Sequence, residues 1–190
     1  MTRKEQKEQR RKEILNAALS LFVRKGYSET KISDIAGSVG MSTGLLFHYF
    51  ESKEMVYEEL VKIGLEGTKM PLAQKLPHAV DYFTVFTQGL FAMMKKDPVI
   101  GQMFILMEAA QRSEGTPENV RRIAESVDTI EKFVPIIEAG QKEGTIREGN
   151  PLVLSMTFWC CIHGIASNFV MFPESELPDP EWIVDIVRKK

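Results

Sequence analysis

Apolar residues recur at steps of three and four along most of the chain, and the period-two alternation of a strand is not found. Ile14, Leu15, Ala18, Leu21 and Phe22 predict a first helix over about residues 10–24, ended by Gly26. Ile32, Ile35, Ala36 and Val39 form the stripe of a second helix, with Thr30 positioned to cap it and Gly40 to end it. Met41 reads as a buried plug ahead of Ser42, which can cap a third helix carrying Leu46 and Phe50 on one face. Ser52 can cap a fourth, from Lys53 to about Gly67, with Val56, Leu60 and Ile63 inward. Pro71 and Pro77 then bracket a linker.

The remainder also reads as helix. One helix covers about His78 to Lys96, with Val80, Phe83, Phe86, Leu90, Phe91 and Met94, and another about Pro98 to Arg112. Residues 113–117 form a loop, and Pro117 suits the first turn of a helix running to about Lys142, kinked at Pro135. Gly144 to Pro151 is a turn. Leu152 to Phe172 is a long helix without Asp, Glu, Lys or Arg, and a short last helix has Trp182, Ile183, Ile186 and Val187 on one side.

Two helices joined by a tight glycine-containing turn make a helix-turn-helix, whose second helix enters the DNA major groove. From Ile14 to Leu60 the chain resembles the DNA-binding domain of the TetR/AcrR family of bacterial repressors. The resemblance is carried by Ile14-Leu15 with Ala18, Leu21-Phe22, Gly26-Tyr27, Thr30, Ile35-Ala36, Gly40-Met41-Ser42 and Gly44. Phe47-His48-Tyr49-Phe50 with Ser52-Lys53-Glu54 is its clearest piece. It implies an all-α protein, with an N-terminal three-helix DNA-binding domain over residues 1–53 and a connecting helix over about 53–67. Residues 68–190 would then form a helical ligand-binding and dimerisation domain.

Charge fits this division. Residues 1–53 hold ten Lys/Arg against six Asp/Glu, and residues 54–190 hold fourteen against twenty. A basic end on an acidic body suits a protein that meets a polyanion at one end. Residues 1–12 read as a basic arm in which Arg10 and Arg11 are groove or phosphate candidates. The adjacent Cys160 and Cys161 fit neither a disulfide framework nor a zinc site, and a reducing cytoplasm is the expected compartment. The uncharged helix is long enough to span a bilayer, but Ser155, Thr157, His163, Ser167 and Asn168 favour the centre of a helical protein or a dimer interface. No membrane association is expected.

Catalysis finds little support. His48, His78 and His163 lie in separate elements without metal-ligand spacing, and no nucleophile elbow or phosphate-binding glycine loop is present. No metal or cofactor is expected, and His163 reads as a hydrogen-bonded core residue. By resemblance, Thr43 and Gly44 take base-contact positions and Leu45 a variable reading position. Ser42, His48, Tyr49, Thr30 and Lys53 match positions that hold phosphates. Phe47 stands where the family usually has tyrosine, which removes a hydroxyl. In the body, Phe83, Phe86, Met103, Phe104, Met107, Phe133 and Trp159 are candidate lining for an apolar cavity among residues 78–112, 118–142 and 152–172. The expectation is a ligand-responsive regulator, a repressor, that binds a palindromic operator as a homodimer through residues 118–142 and 152–172 and is released by a small apolar or amphipathic effector. The rival is a helical carrier of an apolar molecule with an unused DNA-binding fold.

Overall fold

The computed structural model describes residues 2–69, 75–97, 99–126 and 128–190. Pro71, one end of the expected linker, and Pro98, the expected start of a helix, lie outside them. The described residues form ten helices, with one isolated antiparallel bridge between Ile146 and Arg188. The fold is all-α, as the periodicity requires.

The helices are α1 (Arg3–Lys25), α2 (Ile32–Ser38), α3 (Thr43–Phe47), α4 (Lys53–Lys69), α5 (Ala79–Lys96), α6 (Val99–Arg112), α7 (Glu118–Glu125), α8 (Thr129–Glu143), α9 (Pro151–Met171) and α10 (Pro180–Val184). Packing divides them into two units. One holds Met1–Leu65 with Ile105–Ser126, the other Glu66–Phe104 with Val127–Lys190. The division falls inside α4 and α6. The first unit is therefore wider than the sequence domain 1–53, because the end of α6 and all of α7 pack with it.

Its core joins Ile14, Ala18, Leu19 and Phe22 of α1 to Ile35, Leu46, Val56, Tyr57 and Leu60, and to Leu106, Ala110, Val120 and Ala124. The basic arm is helical from Arg3 onward. Thr2 Oγ1 accepts from the Glu5 N–H (3.2 Å) and the Glu5 carboxylate accepts from the Thr2 N–H (2.7 Å), so α1 begins at Arg3. Gly26 (φ +81°) ends α1, and Ser52 Oγ accepts from the Met55 N–H at the start of α4. The inner face of α4 is Val56, Tyr57, Leu60, Val61 and Leu65, whereas Ile63 is 46% exposed. A stripe that includes Tyr57 and Val61 turns position 63 outward.

The second unit packs α8 on α9, α5 on α8 and α10 on α5. Phe83, Phe91, Met94, Phe133, Ile137, Phe158, Ile162 and Val184 are its centre. The expected helix of residues 118–142 is two helices. They part at 126–128, where Asp128 accepts from the N–H groups of Ile130 and Glu131 (2.9 and 3.0 Å) and caps α8. Pro135 is carried inside α8, with its ring exposed, rather than marking the break. Gly140 is buried against Ile146 and Ala79, and a Cβ there would meet Ile146 at 2.5 Å. α9 is long and apolar enough to cross a membrane by length and composition. Here Phe158, Ile162 and Ala166 enter the core and Ser155 Oγ donates to the Ile130 carbonyl (2.7 Å). In the last helix Ile183 and Val184 are buried, while Trp182 is 69% exposed instead of inward.

Candidate nucleic-acid interface

The turn between α2 and α3 is built as its residues dictate. Gly40 adopts φ +65°, its N–H donates to the Gly37 carbonyl (3.2 Å), and the Met41 N–H returns to the Ala36 carbonyl (2.9 Å). Met41 is half-buried rather than a sealed plug. Ser42 Oγ accepts from the Leu45 N–H (3.2 Å) and starts α3. Burial of Leu46 and Phe50 then fixes which way α3 faces. Ser42, Gly44, Leu45, Phe47 and His48 are exposed, with Thr43 and Tyr49 half-buried beside them. Apart from its own helix backbone and chain neighbours, nothing lies within 4 Å of where a Gly44 Cβ would stand, so its backbone is open to close approach.

Two expected phosphate ligands are spent inside the fold. Thr30 is fully buried, and its hydroxyl donates to the Gly26 carbonyl at 2.8 Å. It is not the cap of α2, which is Lys31, whose N–H donates to the Asp34 carboxylate (3.2 Å). The Lys53 ammonium donates to the carbonyls of Tyr27 (2.6 Å) and Thr30 (2.7 Å) and sits 4.0 Å from the centre of the Tyr27 ring. Burial holds its pKa below the usual lysine value, against the raising effect of Glu29. Lys53 thus ties α4 to the α1–α2 turn, where Tyr27 stacks on Tyr57 at 4.8 Å.

Arg10 and Arg11 are ties too, not arm residues. Arg11 donates to the Tyr49 carbonyl (2.8 Å), pairs with Glu59 and lies over the Phe50 ring at 4.3 Å. Arg10 pairs with Glu13 and reaches the Val39 carbonyl (3.3 Å). Together they hold the ends of α2 and α3 against α1. Their place one turn before Ile14 and Leu15 on a helix was the available signal: arginines beside the buried stripe bind their own fold.

In the second unit the aromatic members of the expected cavity lining pack on one another. Phe83 and Phe133 are fully buried, and ring centres lie 4.9 Å apart for Phe83–Phe158 and Phe86–Trp159, and 5.0 Å for Phe133–Trp159. The unit boundary runs through α6 between Phe104 and Ile105, so Met107 is counted with the first unit and Met103 and Phe104 with the second. Clefts of about 170 and 430 Å³ open elsewhere, around Phe169, Ser175, Glu176 and Leu177. His163 Nε2 lies 3.3 Å from the Phe104 carbonyl, the structural role expected for it.

A three-helix head that displays one short helix after a glycine turn defines a helix-turn-helix DNA-binding protein. The family model for bacterial regulatory proteins of the tetR family matches residues 14–60. The chain is 27% identical over 181 residues to the uncharacterized HTH-type transcriptional regulator YfiR of Bacillus subtilis, across 91% of this chain and 86% of that one. It is 29% identical over 141 residues to the HTH-type transcriptional repressor KstR2 of Mycolicibacterium smegmatis, across 73% and 68%. Its fold matches AibR, solved in complex with isovaleryl coenzyme A and operator DNA, with TM-score 0.67 and 19% identity over 93% and 94% of the two chains. Residues 14–60 thus carry a DNA-binding region of the tetR type, and along most of its length the chain is similar to HTH-type transcriptional regulators.

Proposed function

We propose that this regulator is a homodimeric repressor that reads a palindromic operator with α3 and leaves it when a small apolar ligand enters the second unit. The observation that carries the reading is the common exposure of Ser42, Gly44, Leu45, Phe47 and His48 on one surface, set by the burial of Leu46 and Phe50. Thr43 and Gly44 read base edges, Leu45 and Phe47 offer apolar contact to thymine methyls, and Ser42, His48 and Tyr49 hold phosphates. Lys31, exposed at the start of α2, supplies the cation that Lys53 does not.

One such head covers one half-site, and specificity of useful size needs two. Leu152, Val153 and Met156 of α9 are 46%, 48% and 44% exposed. An apolar surface of this kind on an uncharged helix suits burial against a second copy, through α8 and α9. KstR2 is named a repressor, and AibR is solved in complex with an acyl coenzyme A and operator DNA; these support a repressor that takes both operator DNA and a small ligand here. Because the aromatic centre is packed, the ligand takes a pocket that opens by ring rotation. Such a regulator works in the cytoplasm, where DNA is.

The test is selection of binding sites from a random duplex library, followed by affinity on the selected site across a salt series. The expected result is a palindrome with half-sites one helical turn apart and a steep fall in affinity with salt. An apolar carrier would select no sequence, and that outcome would remove the regulator mechanism.

A further inference from the structure

Trp159 Nε1 is buried without a hydrogen-bond partner, and among the described residues it is the one such side-chain nitrogen or oxygen. A buried donor left unpaired is costly, and native folds keep few of them. The surrounding rings bring no acceptor oxygen. Phe86 lies 4.9 Å, Phe133 5.0 Å and Phe158 5.6 Å from the indole, centre to centre. Their faces and edges are weak partners for an N–H. From Leu152 to Phe172 the helix that carries Trp159 has no charged side chain. On α5, Phe83 and Leu90 stand about one turn from Phe86 on either side.

We infer that Trp159 Nε1 is the polar anchor of the effector site, and that the effector is an apolar molecule bearing a neutral carbonyl oxygen that accepts this N–H. The inference rests on the ligand-released reading above and specifies the chemistry of its site. A carboxylate fits poorly, since it would enter an aromatic surround with no cation supplied by α9. A ketone, ester or thioester carbonyl has the one acceptor that the donor needs, and its hydrocarbon body takes the place of the rings that rotate aside. His163 and Ser167 follow Trp159 at intervals of four on α9, with Ser167 Oγ 3.5 Å from His163 Nδ1. They continue a half-buried polar line along which the carbonyl end is guided.

The test uses two probes of matched shape, 2-octanone and 2-methyl-1-octene, in which C=CH2 replaces C=O. Binding is measured by calorimetry and by the shift in Tm, on the full chain and on Trp159→Phe. In a Trp182→Phe background Trp159 is the sole tryptophan, and its emission reports the indole directly. The expected result is a loss of about tenfold in ketone affinity for Trp159→Phe, alkene affinity unchanged, and a red shift of Trp159 emission with the ketone alone. Ketone and alkene affinities that fall together, or a ketone affinity that does not fall, would overturn the inference: a bound water or a ring face then holds the N–H. In either case the ligand-sensor reading survives, because both probes bind. If neither probe binds the full chain up to its solubility, that reading fails, and the anchor with it.

Discussion

The Lys53 ammonium faces two carbonyls and a tyrosine ring instead of solvent, and its consequences are opposite to those of a phosphate contact. Lys53→Met removes charged hydrogen bonds and leaves the carbonyls of Tyr27 and Thr30 short of a donor. The expected cost is about 2 kcal/mol of stability, read by chemical denaturation, with the salt slope of DNA binding unchanged. A slope reduced by about one charge would return Lys53 to the phosphate set. Thr43 is the contrasting case, half-buried on the reading surface with Gly44 and Leu45 exposed beyond it. Thr43→Ala is expected to change discrimination by about 1–3 kcal/mol at the affected base pair, measured as the difference between selected and substituted duplexes. Equal loss on all duplexes would take Thr43 out of base readout. The family resemblance singled out Ser42, Gly44, Leu45 and His48, which the structure exposes, and also Thr30 and Lys53, which it uses internally, as it does Arg10 and Arg11 of the basic arm. A polar side chain at a helix end looks the same in sequence whether it serves a ligand or the fold's own carbonyls.

Elements were legible wherever a periodic stripe ended in a strong stop. Gly26, Gly40 and Ser52 set three boundaries by caps that the structure contains. The break between α7 and α8 was missed, since no glycine or proline lies at 126–128 and its signal is Asp128 alone. Gly140 tests packing against propensity within one helix. Alanine is the better helix former by about 1 kcal/mol. Yet a Cβ there would crowd Ile146 at 2.5 Å and Ala79 at 3.0 Å. Gly140→Ala is therefore expected to lower stability by about 1–3 kcal/mol, visible as a lower Tm; a rise would mean that the turn after α8 yields freely. On α9 the sequence required apolar burial on several faces without saying which. Phe158, Ile162 and Phe169 went to the core, Trp159 and His163 half-buried to the aromatic centre, and Leu152, Met156 and Cys160 outward. Val153→Glu with Met156→Glu is expected to give a folded monomer in sedimentation at micromolar concentration. A dimer that survives both charges uses another surface.

At the scale of the whole molecule, the charge asymmetry between residues 1–53 and the rest was visible at once, but not how much of it faces out. Two arginines and one lysine of the basic end are occupied within the first unit, so the salt slope should reflect fewer phosphates than its ten cations. That the first unit is assembled from two separated stretches was not legible, because packing partners distant in sequence leave no periodic trace. Asn119 Nδ2 donates to the Glu58 carboxylate (3.2 Å), and Arg121 secures the loop before α7 through the carbonyls of Gln111 and Ser113 (3.0 and 2.7 Å). Leu106, Ala110, Val120 and Ala124 are buried in the same unit. During synthesis, then, the reading head leaves the ribosome before its own core can close. After Leu65 the chain must grow through Ser126, which at 5–20 residues per second takes roughly 3–12 seconds. Over that interval Glu58 lacks the Asn119 amide from which its carboxylate later accepts. Nascent chains arrested short of residue 105 should be cut readily by protease around α4, and those arrested well beyond residue 126 should resist, so that completion of the first unit is timed by a segment outside the helix-turn-helix.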